Sequence, residues 1–170
     1  QSEQWQRAID VMSDFQQRFP GHEETGAIPA RLLLANQSLG NWTGAAEQAM
    51  VMAKQDDDPN VRQQALYSAA EYYQQADDID NSIAVYKEYA HTYSSPTAET
   101  LPQTMEAQYR LTELYAGQGL ETKREFWLNK LIATHQSAAE PTDRSRYLAA
   151  FAATDFAEKK MAAYRDASGQ

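Results

Sequence analysis

Cysteine is absent from this 170-residue chain, which excludes disulfides, thiolate catalysis and cysteine-ligated zinc. Basic residues are also scarce: 15 Lys and Arg stand against 24 Asp and Glu, and the formal net charge is −9. Because such a charge repels phosphate backbones and anionic lipids, we expect no nucleic-acid partner. No apolar run approaches the roughly 20 residues of a membrane span, so we expect no direct membrane insertion by this segment.

Glycine and proline are few, with seven and six residues, and they fall mostly between stretches of periodic apolar residues. In the first stretch Trp5, Ile9, Met12 and Phe15 recur at three- and four-residue spacing, which is one face of a helix. The whole chain follows this pattern and predicts an all-α fold of about eight helices. Their predicted bounds are residues 4–19, 28–39, 42–54, 60–75, 80–93, 102–116, 120–135 and 142–165.

The helices recur in pairs. Trp5, Trp42, Ile79 and Leu120 each follow a tight turn, and the steps between them are 37, 37 and 41 residues. A period of this size in a helix-turn-helix pattern is typical of an α-solenoid, in which each pair buries its apolar face against the next. The sequence therefore predicts a row of stacked antiparallel helix pairs.

The paired segments resemble the tetratricopeptide repeat, whose consensus has a small residue at the turn, then an aromatic residue, then alanine, and a proline after the second helix. Gly40, Trp42, Ala45 and Ala49 follow this order. The resemblance implies a right-handed α-solenoid. The matching residues in the other units are Trp5, Ala8, Phe15, Pro20, Leu66, Ala69, Ala70, Tyr73, Ile79, Tyr86, Tyr89 and Pro96.

The resemblance also implies one domain over residues 1–170 that begins in mid-repeat. Residues 4–20 would be the second helix of a truncated repeat, and residues 26–58 and 60–96 would each form a repeat. Residues 102–136 would form a divergent repeat, since Lys123 stands where a small alanine is expected. Residues 141–166 would form a C-terminal capping helix.

The long turns between units, and segments such as residues 15–20 and 89–96, resemble those of tetratricopeptide proteins of the bacterial envelope. This resemblance implies a periplasmic or envelope location, with the cytoplasm as the alternative. It also implies that the chain is a segment of a larger scaffold protein.

Residues able to carry chemistry form no recognisable catalytic motif. His22, His91 and His135 each fall near the end of a predicted second helix, where the helix dipole favours histidine. The acidic runs at residues 56–58 and 77–80 lack the glycine and terminal glutamate of a calcium loop, and we expect turns capped by Asn60 and Asp80. We therefore expect no enzyme activity, metal or cofactor. The aromatic residues expected in the core are Trp5, Trp42, Tyr73, Tyr86, Tyr89 and Trp127.

In this repeat type the first helix of each unit lines the concave face, where a partner protein or peptide binds. The resemblance implies a non-catalytic scaffold, and two alternatives stay open. One is a regulatory arm of an enzyme whose catalytic domain lies outside this segment, and the other is a homodimer formed through exposed repeat ends. The residues implied for the concave face are Gln37, Tyr67, Glu71, Gln74, Gln75, Gln108, Thr112 and Tyr115.

Overall fold

A computed structural model describes residues 2–169, and over that range the chain is helical and contains no strand. The predicted all-α fold with eight α-helices is confirmed, and the predicted bounds differ from the observed ones by no more than three residues. A short 3-10 segment, Glu23–Ala27, was not expected. The α-helices are α1 (Ser2–Arg18), α2 (Ile28–Leu39), α3 (Trp42–Gln55), α4 (Pro59–Gln75), α5 (Ile79–Thr92), α6 (Leu101–Gly117), α7 (Glu121–Ser137) and α8 (Asp143–Ser168).

The acidic turns cap the helices that follow them, although at other residues than predicted. The Asp58 side chain accepts a hydrogen bond from the Asn60 amide at 2.8 Å, and Asp78 accepts one from the Asn81 amide at 3.2 Å. The expectation that Asn60 and Asp80 are the caps is therefore wrong. Each helix begins about one residue earlier than its apolar pattern indicated, so the cap lies further upstream.

The chain divides into two compact units, Gln1–Val85 and Tyr86–Gln170, with the boundary inside α5. In the first unit α1 packs on α2, α2 on α3, and α3 on α4. In the second unit α6 packs on α7, α7 on α8, and α6 also on α8. The expected single domain stays a prediction.

Small side chains allow the close packing of α3 and α4 in the first unit. Ala45, Ala46 and Ala49 on α3 have no accessible surface, and neither have Ala69 and Ala70 on α4. Alanine at these positions lets two helix backbones approach closely and carries no helix-propensity cost. The alanines that the repeat pattern singled out therefore belong to a helix–helix contact.

Larger aliphatic residues form the core of the second unit. Leu128 and Leu131 on α7 are fully inaccessible to solvent, as is Leu148 on α8. They pack in one cluster with Leu101 and Met105 of α6. This cluster brings all three helices together, and burial of apolar side chains is the main stabilising term in such a core.

The aromatic residues expected in the core divide into three groups. Tyr86 and Tyr89 are fully buried, and Trp127 is 9% exposed, as expected. Trp42 and Tyr73 are half-buried. The core assignment of Trp5 is wrong, because 37% of its surface is exposed. Trp5 lies on α1, which packs on α2 and buries none of its own residues.

The longest helix, α8, is packed over only part of its length. A capping box formed by Thr142 and Ser145 fixes its start, and Leu148 and Ala152 are buried in the following turns. Beyond Phe156 none of its residues is buried. Over residues 2–169, no helix combines the length and apolarity needed to cross a membrane.

An ion pair joins α7 to α8, and we expect its removal to destabilise the second unit. Arg124 is bonded to both carboxylate oxygens of Asp155, and the two side chains are only 15% and 18% exposed. Replacing Arg124 with alanine leaves a partly buried carboxylate without its partner. The free energy of unfolding in urea should fall by about 1 to 2 kcal/mol.

The matched control is Arg146→Ala, which removes an ion pair with Asp143 in an exposed setting. That change should stay within about 0.5 kcal/mol of the wild type. Equal effects of the two substitutions would contradict a structural role for the Arg124–Asp155 pair.

Candidate functional site

The structure places the eight predicted partner-binding residues in two groups. Gln37, Glu71 and Gln74 are partly exposed and Gln75 is exposed. Partner binding at these positions stays a prediction. The expectation of an open outward face is wrong for the other four, which are buried in the chain itself: Tyr67, Gln108, Thr112 and Tyr115.

The buried polar residues on α6 have partners inside the protein. Gln108 donates a hydrogen bond from Nε2 to Oγ1 of Thr134 on α7 at 2.9 Å. Thr112 donates from Oγ1 to the backbone oxygen of Tyr109 at 2.7 Å. Buried polar groups are tolerated when hydrogen-bonded in this way, so this face of α6 serves packing against α7.

The solvent-facing side of α6 carries a different set of residues, which the sequence analysis missed. Glu106, Arg110 and Glu113 follow one another at four- and three-residue steps on partly exposed or exposed positions, with Tyr109 beside them. Arg110 pairs with Glu113 at 3.2 Å. The signal that could have revealed this face is the charged triplet at helical spacing.

Arg144 of α8 joins this face and is held from several sides. Its Nε and Nη2 donate to the two carboxylate oxygens of Glu106 at 3.1 and 3.0 Å. Its guanidinium carbon also lies 5.7 Å from the ring centre of Tyr109 and 5.2 Å from that of Tyr147. Hydrogen bonding to Glu106 raises the pKa of Arg144, so the group stays charged. We call the following residues the α6–α8 surface: Glu106, Tyr109, Arg110, Glu113, Arg144 and Tyr147.

Tyr109 anchors the α6–α8 surface to the interior. Its hydroxyl donates to Oε1 of Glu113 at 2.9 Å, and its ring meets Phe151 edge-on at 5.4 Å. The hydrogen bond to Glu113, together with burial, raises the pKa of the Tyr109 hydroxyl. The surface thus presents a guanidinium that is bonded to Glu106 and lies near two aromatic rings, with Tyr147 58% exposed.

In the first unit a smaller polar cluster links α2 to α4. Gln37 donates from Nε2 to the hydroxyl oxygen of Tyr72 at 2.6 Å, and Trp42 stacks on the Tyr72 ring at 6.1 Å with an interplanar angle of 16°. Leu34, one turn before Gln37, is 56% exposed. Gln37, one of the eight predicted residues, therefore bridges α2 and α4 through a partly buried hydrogen bond.

Tyr72 makes the stability of the first unit depend on pH. Burial, followed by the nearby charge of Glu71, raises the pKa of Tyr72, while the Gln37 hydrogen bond lowers it in part. Since the folded state holds this proton more tightly, stability is full below the ordinary tyrosine pKa of about 10 and falls as the pH rises through the folded value. Tyr72→Phe should therefore lose less unfolding free energy than wild type between pH 9 and pH 11.

The measurement is urea unfolding at the two pH values, with Tyr164→Phe as the control because Tyr164 is 76% exposed. The Tyr164→Phe control should lose as much unfolding free energy between the two pH values as wild type does. If Tyr72→Phe and wild type lost the same unfolding free energy between pH 9 and pH 11, Tyr72 would contribute nothing to the loss of stability at alkaline pH.

The three histidines lie in separate elements. His22 caps the 3-10 segment, with Nδ1 accepting from the Glu24 amide at 3.2 Å, while His91 lies in the last turn of α5. His135, in the last turn of α7, lies 3.2 Å from Oγ of Ser145. Within residues 2–169 no group of three or more metal-ligating side chains is placed to hold an ion.

Comparisons with known proteins add no family or relative. No protein-family model matches the chain, and no curated protein or solved structure matches it.

Proposed function

We propose that the chain is a non-catalytic protein-interaction scaffold built as a tetratricopeptide-like, right-handed α-solenoid. The proposal is supported by a contact that both units share. Besides packing on its neighbour, the first helix of a pair reaches the helix after next: α2 contacts α4 through Gln37 and Tyr72, and α6 contacts α8 through Glu106 and Arg144. Stacked helix pairs need such contacts.

The α6–α8 surface is the observation that carries the proposed binding role. Tyrosine and arginine are enriched among the residues that dominate protein-binding energies. Here Arg144 is already held by Glu106 and by the rings of Tyr109 and Tyr147. Because these contacts already restrict Arg144, binding of a protein or peptide partner costs less side-chain entropy at this residue.

Site-specific photocrosslinking in living cells tests this function on the full-length protein. A benzophenone amino acid replaces Tyr147, which is 58% exposed, and in the control it replaces Phe126 on α7, which is 53% exposed. We expect a discrete adduct from position 147 that position 126 does not give. The same adducts from both positions, or none from position 147, would count against the α6–α8 surface as the binding site.

The resemblance to bacterial envelope proteins supports a place in a larger periplasmic or envelope assembly. The location is inferred from the sequence segments at residues 15–20 and 89–96. Fractionation of cells expressing the full-length protein tests it, and recovery only with cytoplasmic markers would contradict it.

A further inference from the structure

A pocket of about 240 Å³ lies in the first unit, where the connector between α1 and α2 meets the end of α3. The connector contributes Pro20, Gly21 and His22. The remaining lining is both apolar and polar. The residues that bear on its chemistry are Pro29, Val51, Met52, Gln16, Gln55 and Asp56.

The wall formed by the connector is held in place by several contacts. Thr25 donates from Oγ1 to the backbone oxygen of Phe19 at 2.7 Å, and the His22 ring meets Phe15 edge-on at 5.4 Å. His22 also caps the 3-10 segment through Nδ1, which accepts from the Glu24 amide. Two of these contacts hold the connector together, and the His22–Phe15 contact places it against α1.

The charge around this pocket is negative. Asp56 lines it, and acidic residues 57–58 and 23–24 follow lining residues directly in the chain. Within residues 2–169 the Asp56 carboxylate forms no ion pair, and its Oδ1 accepts only from the Asp58 amide at 2.9 Å. Arg62 bonds the backbone oxygens of Asp56 and Asp57 rather than their carboxylates.

We propose that this pocket binds the side chain of a lysine or arginine presented by a partner protein. The methylene stem of such a residue packs against Val51 and Met52, while its cationic head reaches the Asp56 carboxylate. An apolar side chain leaves Asp56 uncompensated, and an acidic one meets a like charge. The pocket lies in the first unit, so this interaction is additional to that of the α6–α8 surface in the second.

The test is a two-dimensional amide NMR titration of the chain with N-acetyl-arginine amide. The control ligand is N-acetyl-citrulline amide, which has nearly the same shape without the charge. We expect saturable shifts at the backbone amides of Gly21, Gly26 and Gln55 with the arginine probe. Affinity for the citrulline probe should be roughly threefold to tenfold weaker, the value of one partly exposed charge-assisted contact.

Two variants test whether the Asp56 carboxylate is the charge that binds the arginine probe. Asp56→Asn keeps an oxygen that can accept from the Asp58 amide, and it should weaken binding of the arginine probe by roughly threefold to tenfold. Asp57→Asn makes the same charge change one residue away, at a side chain that does not line the pocket, and should leave binding nearly unchanged. The proposal is overturned by absence of shifts at those three amides, by equal affinity for both probes, or by equal weakening in both variants.

Discussion

Replacing Leu131 with alanine is expected to lower the free energy of unfolding by about 2 to 5 kcal/mol, the usual range for a buried leucine. Leu131 is fully inaccessible and packs in the cluster that joins α6, α7 and α8. Its loss removes apolar contacts within this cluster and leaves a cavity, since the surrounding helices relax only in part. Urea unfolding followed by circular dichroism measures the effect. For a domain of ordinary stability, about 5 to 15 kcal/mol, such a loss is large.

The matched control is Leu120→Ala, since Leu120 is 40% exposed at the turn before α7. That substitution removes the same atoms from a site that water already reaches. We expect a change within about 0.5 to 1 kcal/mol. If both leucine variants lost the same stability, the three-helix cluster could not be the core of the second unit.

Gly44→Ala is expected to destabilise the first unit by about 2 kcal/mol, although alanine favours a helix over glycine by about 1 kcal/mol. A Cβ at Gly44 would stand 2.6 Å from Nδ2 of Asn41 and closer still to Oδ1 of Asn36. The Asn36 amide is buried and bonded to the backbone oxygen of Leu32 and to Asn41. A shift of Asn36 would break these bonds and leave a buried polar group unpaired, which costs about 1 to 3 kcal/mol.

Gly117→Ala provides the control at the last residue of α6. No heavy atom lies within 4 Å of a Cβ built there. Only helix propensity should change, so the free energy of unfolding in urea should equal that of wild type or exceed it by up to about 1 kcal/mol. A stabilised Gly44→Ala variant would show that the Asn36–Asn41 contact yields easily to an added methyl group.

The helices could be predicted because their signals are local and repeated. Apolar spacing of three and four residues, with glycine and proline at the breaks, located all eight α-helices. The 3-10 segment was missed because Glu23–Ala27 is polar and short. It depends on contacts such as that of Thr25 with Phe19, which no local pattern reveals.

The candidate site was harder to predict because polarity alone does not separate the faces of α6. The resemblance pointed to Gln108 and Thr112, whereas the exposed face carries Glu106 and Arg110. A shift of two residues turns a helix by about 200°, nearly to the opposite side. Gln108 is polar and yet buried, and its Nε2 donates a hydrogen bond to Thr134 on α7. That partner lies 26 residues away and is not identifiable from the sequence of α6.

The prediction that Trp5 of α1 is buried was wrong for a related reason. Trp5 has the residue type and spacing of a core position, but a side chain is buried only where another element covers it. α2 packs on α1, but Trp5 stays 37% exposed. A periodic apolar face therefore predicts that a helix forms more reliably than it predicts how completely the helix is covered.

The uneven packing of α8 has a consequence for amide exchange with deuterium. An isolated helix the length of residues 157–168 is marginal in water, because starting the first turn is unfavourable. Here the first turn is already formed at the Thr142 capping box, and the packed turns around Leu148 extend it. The end of α8 thus grows from a nucleus formed elsewhere, and its amides should exchange progressively faster from Ala152 towards Ser168.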